Sequence, residues 1–140
     1  MPVSEEAQNF NWLLVQFVDK TDGVQEAIAV SSDGLLLAAS GGRQQENIEQ
    51  FAAITSGLTS LTNGAAACFS FDSVEQVIVE MSGGFLFVTS IGEGSTLGVI
   101  ADSDCDIGLI AYEMTLLCER AGAALTPALI SELKNPLLVA

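Results

Sequence analysis

There is no histidine in this chain, and only four of its 140 residues are cationic. The first absence removes the commonest general base and the commonest metal ligand. The second leaves Lys20, Arg43, Arg120 and Lys134 against 18 acidic residues, a net charge of −14. Such a chain repels nucleic acid and anionic lipid and has little with which to hold a phosphate; a basic protein surface would be attracted instead. Plain solubility is the commoner reason for an acidic surface. Cysteine is scarce too: Cys68, Cys105 and Cys118 form no CxxC pair and are odd in number. Each sits in an apolar setting or at a helix start, so buried, reduced thiols are expected. No apolar run approaches the roughly 18 residues that span a bilayer. The start, MPVSEEAQNF, has no basic region ahead of an apolar one. These absences together predict a cytoplasmic protein with no direct membrane insertion.

What is present is a core. Hydrophobic residues make up 49% of the chain, which argues against disorder and suits one domain. The longest segment able to form one helix is 43–69, RQQENIEQFAAITSGLTSLTNGAAACF. At about 100° per residue, Ile48, Phe51, Ile54, Thr55, Leu58, Leu61, Ala65 and Phe69 gather on one broad face that can cover a sheet. Glu46, Ala53, Gly57, Ser60 and Gly64 fall on a narrow line roughly 130° round. Glycine inside a helix costs about 1 kcal/mol against alanine. A line of glycines and small residues therefore points to close approach by another helix or chain. The alternative is a helix that breaks at Asn63-Gly64, a turn signal.

The other elements follow from period and punctuation. Residues 5–20 place Phe10, Leu13, Leu14 and Phe17 on one helical face, with Ser4 as cap and Glu5 and Glu6 at the positive end of the dipole. Trp12 and Val15 lie off that face, toward a neighbouring helix or a partner. Strands are predicted over 24–31 and 35–40, joined by the Ser32-Asp33-Gly34 turn, the second buried on both faces. Gly41-Gly42 releases the chain into the long helix. Strands over 74–81, 85–91 and 95–101 form a meander. Asp104 is expected to cap a last long helix whose face is Ile107, Ile110, Ala111, Met114, Leu117, Cys118, Ala121 and Leu125. Pro127 opens a short further turn, and the end is an apolar tail. The reading is an α/β, α+β layered domain, ordered α-β-β-α-β-β-β-α. Its five-stranded antiparallel sheet carries the long helix on one face and two helices on the other. Residues 1–126 form the domain and 127–140 the C-terminal helix and tail.

Catalytic motifs are hard to find. Gly92-Glu93-Gly94-Ser95 lacks the lysine and following helix of a phosphate loop and reads as a hairpin turn. Asp102, Asp104 and Asp106 alternate like calcium ligands but lack the glycine and glutamate of an EF-hand loop; helix capping is the simpler role. No serine or cysteine has an activating base at hand. No catalytic residue, metal or cofactor is assigned, and the chain is not expected to be an enzyme. One feature remains: the strand VEQVIVEM is apolar in two adjacent phases and can form a sheet edge, which invites pairing with another strand. Two copies paired there would bring their long helices together, which would also explain the small-residue line. The alternative is an edge covered by loop or tail.

Several stretches together resemble the roadblock/dynein light chain superfamily. They are GVQEAIAVSSDGLLLAAS at 23–40, QFAAITSGLTSLTNGAA at 50–66, VEMSGGFLFV at 79–88 and CDIGLIAYEM at 105–114, with NFNWLLVQFV at 9–18. The likeness covers nearly the whole chain and is nearest to bacterial MglB-type proteins that act with small Ras-like GTPases, in particular the roadblock proteins of actinobacterial conservon operons. It implies a roadblock/profilin-like fold and a homodimer joined through the third strand, with the second helices paired. It also implies a helical face offered to a small Ras-like GTPase, with a sensor histidine kinase-like protein as a further neighbour. On this resemblance, partner contacts fall on Glu46, Glu49, Gln50, Ala53, Gly57, Ser60 and Gly64. Dimer contacts fall on Ala53, Gly57, Gly64, Val77, Ile78 and Val79. The chain departs from its relatives at 40–45, SGGRQQ, where they are often richer in Arg and Asp; Arg43 is the only arginine near the proposed face. The implied role is a non-enzymatic regulator of a GTPase nucleotide cycle in a signalling complex, recruited to the membrane through partners. A small-ligand sensory domain and a purely structural scaffold are the rival readings.

Overall fold

The computed structural model describes residues 4–41, 45–92 and 94–134. Its elements run α1 (Glu5–Lys20), β1 (Val24–Val30), β2 (Leu36–Ala39), α2 (Gln45–Cys68), β3 (Gln76–Met81), β4 (Gly84–Ile91), β5 (Ser95–Asp102), α3 (Ile107–Ala124) and α4 (Pro127–Lys134). The strands form one antiparallel sheet in the order β2-β1-β5-β4-β3. The second hairpin strand is thus an edge, as is β3.

Two apolar clusters lie on opposite faces of the sheet. On one, Phe10, Leu14 and Phe17 of α1 pack with Ala27, Phe87, Leu97 and Val99 and with Ile110, Met114 and Leu117 of α3. On the other, Ile28, Val30, Leu86 and Val88 meet Ile48, Phe51 and Ala52 of α2. Fully burying one such side chain contributes about 1.5–3 kcal/mol. The alternation along β5 sorts the two sets: Leu97, Val99 and Ala101 join the first cluster, while Ile100 packs on the second.

Helix α1 starts where the sequence says. The Ala7 N–H donates to Ser4 Oγ at 3.1 Å, and Glu5 and Glu6 occupy the first turn. Helix α3 starts later than expected. Asp106, not Asp104, is its N-cap and accepts from the Leu109 N–H at 3.1 Å. A turn closed by Cys105 N–H on the Asp102 carbonyl holds the chain out of the helix until that point. Ile107 consequently stays exposed, and the buried face is Ile110, Met114, Leu117, Cys118 and Ala121. Residues 127–134 form a two-turn helix opened by Pro127. Leu129 is buried in the first cluster, the Leu129 N–H is capped by Thr126 Oγ1, and Glu132 accepts from the Ser4 N–H. The expected tail at 135–140 lies outside the described residues.

Two further expectations change, at Leu35 and at Cys68, and the single long helix holds. Leu35 belongs to the turn and is exposed, so β2 is shorter and only Leu37 and Ala38 are buried. The long helix runs unbroken through Asn63 and Gly64; residues 42–44, including Gly42 and Arg43, lie outside the described set, as does Glu93 of the β4–β5 turn. Cys118 is buried, which pushes its thiol up to about 12, and burial raises the half-buried Cys105 as well, with Asp102, Asp104 and Asp106 adding to it. Cys68 is exposed. The way α2 sits on the sheet explains that exposure.

Candidate functional site: helix α2 and the β3 edge

Helix α2 is seated at one point. A methyl group built on Gly98 of β5 would lie 2.7 Å from Thr55 Oγ1 and 3.2 Å from the Phe51 ring, so the glycine lets the helix approach the sheet there. Around that seat Ile48, Phe51, Ala52 and Thr55 are buried. Beyond Thr55 no residue of α2 is buried; Leu58, Thr59, Thr62 and Ala66 are half-covered.

The C-terminal half of the helix is inside out. Its sheet-facing side carries hydroxyls: Thr59 Oγ1 donates to the Thr55 carbonyl at 2.9 Å and Thr62 Oγ1 to that of Leu58 at 2.7 Å. These threonines satisfy themselves on their own helix. Below them lies a cleft of about 160 Å³, lined also by Asn63, Ser73, Thr89 and Thr96. The Thr89 hydroxyl is buried there with no partner among the described residues. Apart from Leu58, the large apolar side chains from Ile54 onward point away. Leu61 is 74% exposed, Ile54 is more than half exposed, and Ala65 and Cys68 are exposed beside them. The expected sheet-covering face therefore holds for Ile48, Phe51, Thr55 and Leu58 and fails for Ile54, Leu61, Ala65 and Phe69. At about 100° per residue Leu61 stands about 140° from Ile48, too far round to reach the sheet.

All seven residues expected to meet a partner, Glu46, Glu49, Gln50, Ala53, Gly57, Ser60 and Gly64, are exposed. A methyl group on Gly57 or Gly64 would meet nothing within 4 Å among the described residues, so no packing within the chain calls for glycine at either position. After α2 the chain turns through Ser70, at φ 59°, which stacks Phe69 on Phe71 with centroids 6.0 Å apart; both rings are 71% exposed. Neither ring stood out in the sequence as a surface feature.

Strand β3 continues this surface. It pairs with β4 from Gln76↔Thr89 to Met81↔Gly84, and its other side faces no strand among the described residues. No residue of β3 is fully buried, whereas β4 beside it is buried from Gly84 to Val88. The three expected dimer residues split between the faces. Val77 and Val79 pack on the α2-side cluster together with Leu58. Ile78 pairs with Phe87 of the other face and is exposed. Leu58 places the exposed stripe of Ile54, Leu61 and Ala65 on the β3 side of the helix. Glu49 and Ala52, by contrast, border a cleft with Gly34 and Leu36 at the β2 side.

Residues 10–101 match the model of the Roadblock/LC7 domain family. The chain belongs to the Roadblock/LC7 family. A Roadblock/LC7 domain from Streptomyces avermitilis superposes with a TM-score of 0.76 at 29% identity, covering 93% of this chain and 98% of that one. The uncharacterized protein MJ1340 of Methanocaldococcus jannaschii is 29% identical over 108 residues, 76% of this chain and 91% of its own. MglB of Myxococcus xanthus shares the fold, with a TM-score of 0.78 at 19% identity over 85% of this chain and 96% of its own. Among the described residues of this Roadblock/LC7 chain, no helix is long and apolar enough to cross a membrane. No group of three His, Cys, Asp or Glu side chains among them is placed to hold a metal ion.

Proposed function

We propose that the chain is a non-enzymatic, cytoplasmic adaptor that works as a homodimer, binds a small Ras-like GTPase and modulates its nucleotide cycle. One observation carries the reading: α2 turns Ile54, Leu61 and Ala65, with Gly57 and Gly64, outward beside an open strand edge. A helix of that pattern leaves a contiguous apolar strip in water unless something covers it. A second copy covers both features at once, with β3 pairing to β3 across a two-fold axis and Leu61 of one helix lying against Gly57 and Gly64 of the other. Ala53 joins that seam, and Val77, Ile78 and Val79 lie along the joined edge.

The paired helices then present Glu46, Glu49, Gln50 and Ser60 as a polar rim around the small residues. This rim is the surface assigned to the GTPase. It supplies carboxylates, an amide and a hydroxyl, and acts by holding switch segments of the GTPase rather than by supplying a catalytic group. A sensor histidine kinase-like protein, as in conservon clusters, is the further partner and the route to the membrane.

The test begins with mass in solution. The wild type is expected at twice the chain mass, and Gly57→Arg at the single-chain mass with an unchanged circular dichroism spectrum. A wild type that stays monomeric at high concentration overturns the dimer. Titration of a Ras-like GTPase, loaded with GDP or a non-hydrolysable GTP analogue, then reads the second half. Glu49→Lys should weaken binding while leaving the dimer mass unchanged. Single-turnover GTP hydrolysis with and without the protein separates a regulator from a scaffold. The hydroxyl-lined cleft under α2 favours a second reading, a sensory domain for a small polar ligand; native mass spectrometry showing a retained small molecule would support it.

A further inference from the structure

We propose that the groove between α1 and α3, on the sheet face opposite α2, docks a short amphipathic segment of a partner protein that carries apolar anchors and two carboxylates. The groove encloses about 360 Å³ and is walled by Trp12, Leu13 and Phe17 of α1 and Leu116 of α3. Trp12 is 51% exposed. On α3 the side chains of Leu109, Tyr112 and Leu116 are exposed at i, i+3 and i+7. They extend the apolar wall as one stripe, the spacing that receives a helical or extended apolar segment. This surface is separate from α2 and β3, and the inference does not depend on the dimer or on the GTPase.

Charge selects the occupant. Of the four cations in a chain of net charge −14, Lys134 is held by Asp33 at 3.1 Å and Arg43 lies outside the described residues. The other two, Lys20 and Arg120, both border this groove. Neither has a carboxylate within 4.0 Å among the described residues, although the chain carries 18 acidic residues. Lys20 also complements the C-terminal end of the α1 dipole; Arg120 has no such role. Two unpaired cations beside an exposed tryptophan fit an incoming carboxylate pair flanking an aromatic or leucine anchor. Glu113 and Glu119 line the same groove and repel a uniformly acidic strand, so the segment carries two placed acids rather than a polyacidic run.

Trp12 is the only tryptophan in the chain, so its emission reports the groove directly. The full-length protein is titrated with three synthetic 14-residue peptides lacking tryptophan and tyrosine: a Leu/Phe amphipathic helix bearing two Glu, the same peptide with Lys for Glu, and a proline-rich peptide. The Glu peptide should give a saturable blue shift that weakens with added salt. Binding should fall at least tenfold for the Lys peptide and for the double variants Lys20→Glu/Arg120→Glu and Lys20→Gln/Arg120→Gln, both of which keep the reporter. No shift with the Glu peptide, equal binding of the Lys peptide, or tighter binding of the proline-rich peptide overturns the proposal. An emission shift driven by protein concentration alone overturns it too, because the occupant would then be a second copy.

Discussion

The two faces of the sheet are packed by different rules. Under α1 and α3 the inward stripes, Phe10, Leu14 and Phe17 with Ile110, Met114 and Leu117, converge on Phe87, Leu97 and Val99 and close on the sheet, while Trp12, Leu109, Tyr112 and Leu116 stay exposed on the outer side. Under α2 only the first half of the helix closes on the sheet; past Thr55 the hydroxyls turn inward and the leucine outward. A helix stripe points at whatever buries it. On the first face that is the sheet. For Leu61 and Ala65 in the second half of α2, nothing among the described residues serves.

The contrast is broken most forcefully by truncating one large apolar side chain on each face. Phe10→Ala removes a fully buried ring and is expected to cost about 3–5 kcal/mol in denaturant unfolding. Leu61→Ala should change the stability of the single chain by less than about 0.5 kcal/mol, as exposed positions do. A large cost for Leu61→Ala that grows with protein concentration would show the outward stripe to be an assembled core. A large cost independent of concentration would show that Leu61 is buried within the single chain. Next in size is Gly98→Ala. The added methyl would lie 2.7 Å from Thr55 Oγ1, and overpacking of this kind costs about 1–3 kcal/mol. It should loosen α2 selectively, read as faster amide exchange over 48–58 than over α1. Equal loosening of both helices would mean that Gly98 is not the seat of α2.

Most of the architecture was legible because the chain states it locally. Period, turn dipeptides and the Ser4 cap predict the elements in order, and the unusual phase of VEQVIVEM predicts an edge. The bearing of α2 was not legible in the same way. Its apolar residues occupy two arcs, one through Ile48, Phe51 and Thr55 and one through Ile54, Leu61 and Ala65, and a single broad face merges them. Which arc meets the sheet is decided by Gly98, a residue far along the chain whose missing side chain gives no local signal. The start of α3 was misplaced for a related reason. Asp104 and Asp106 are equally good caps by type, and the Asp102–Cys105 turn selects the second. The groove residues Trp12 and Arg120 are individually ordinary; only the antiparallel sheet, by placing α1 and α3 on one face, brings them together.

Gly57→Ala and Gly64→Ala sharpen the comparison with opposite signs in two measurements. Each added methyl meets open space in the single chain. Each should therefore stabilise the monomer by up to about 1 kcal/mol through helix propensity. If a second helix rests on the same line, the methyl groups hold it off, and the dimer dissociation constant should rise even as thermal stability at low concentration improves. Stabilisation with unchanged self-association would leave the glycines without a role in contact.

The smallest effect is expected at the β1–β2 turn, the one place where α4 is tied to the first hairpin by charge. The Ser31 hydroxyl donates to Asp33, and Lys134 adds an ammonium 3.1 Å away; in that order they hold the Asp33 carboxyl below its usual range. A carboxyl depressed in the folded state contributes stability that is present above its unfolded pKa and is lost as pH falls through the folded one. Asp33→Asn should thus lower the melting temperature slightly at neutral pH, and the two proteins should converge once the pH falls below the folded pKa of Asp33. High salt should remove the Lys134 share and leave that of Ser31, because only the ion pair is screened. A gap that persists unchanged into acid would mean that the asparagine perturbs the turn itself, not a charge linkage between α4 and the hairpin.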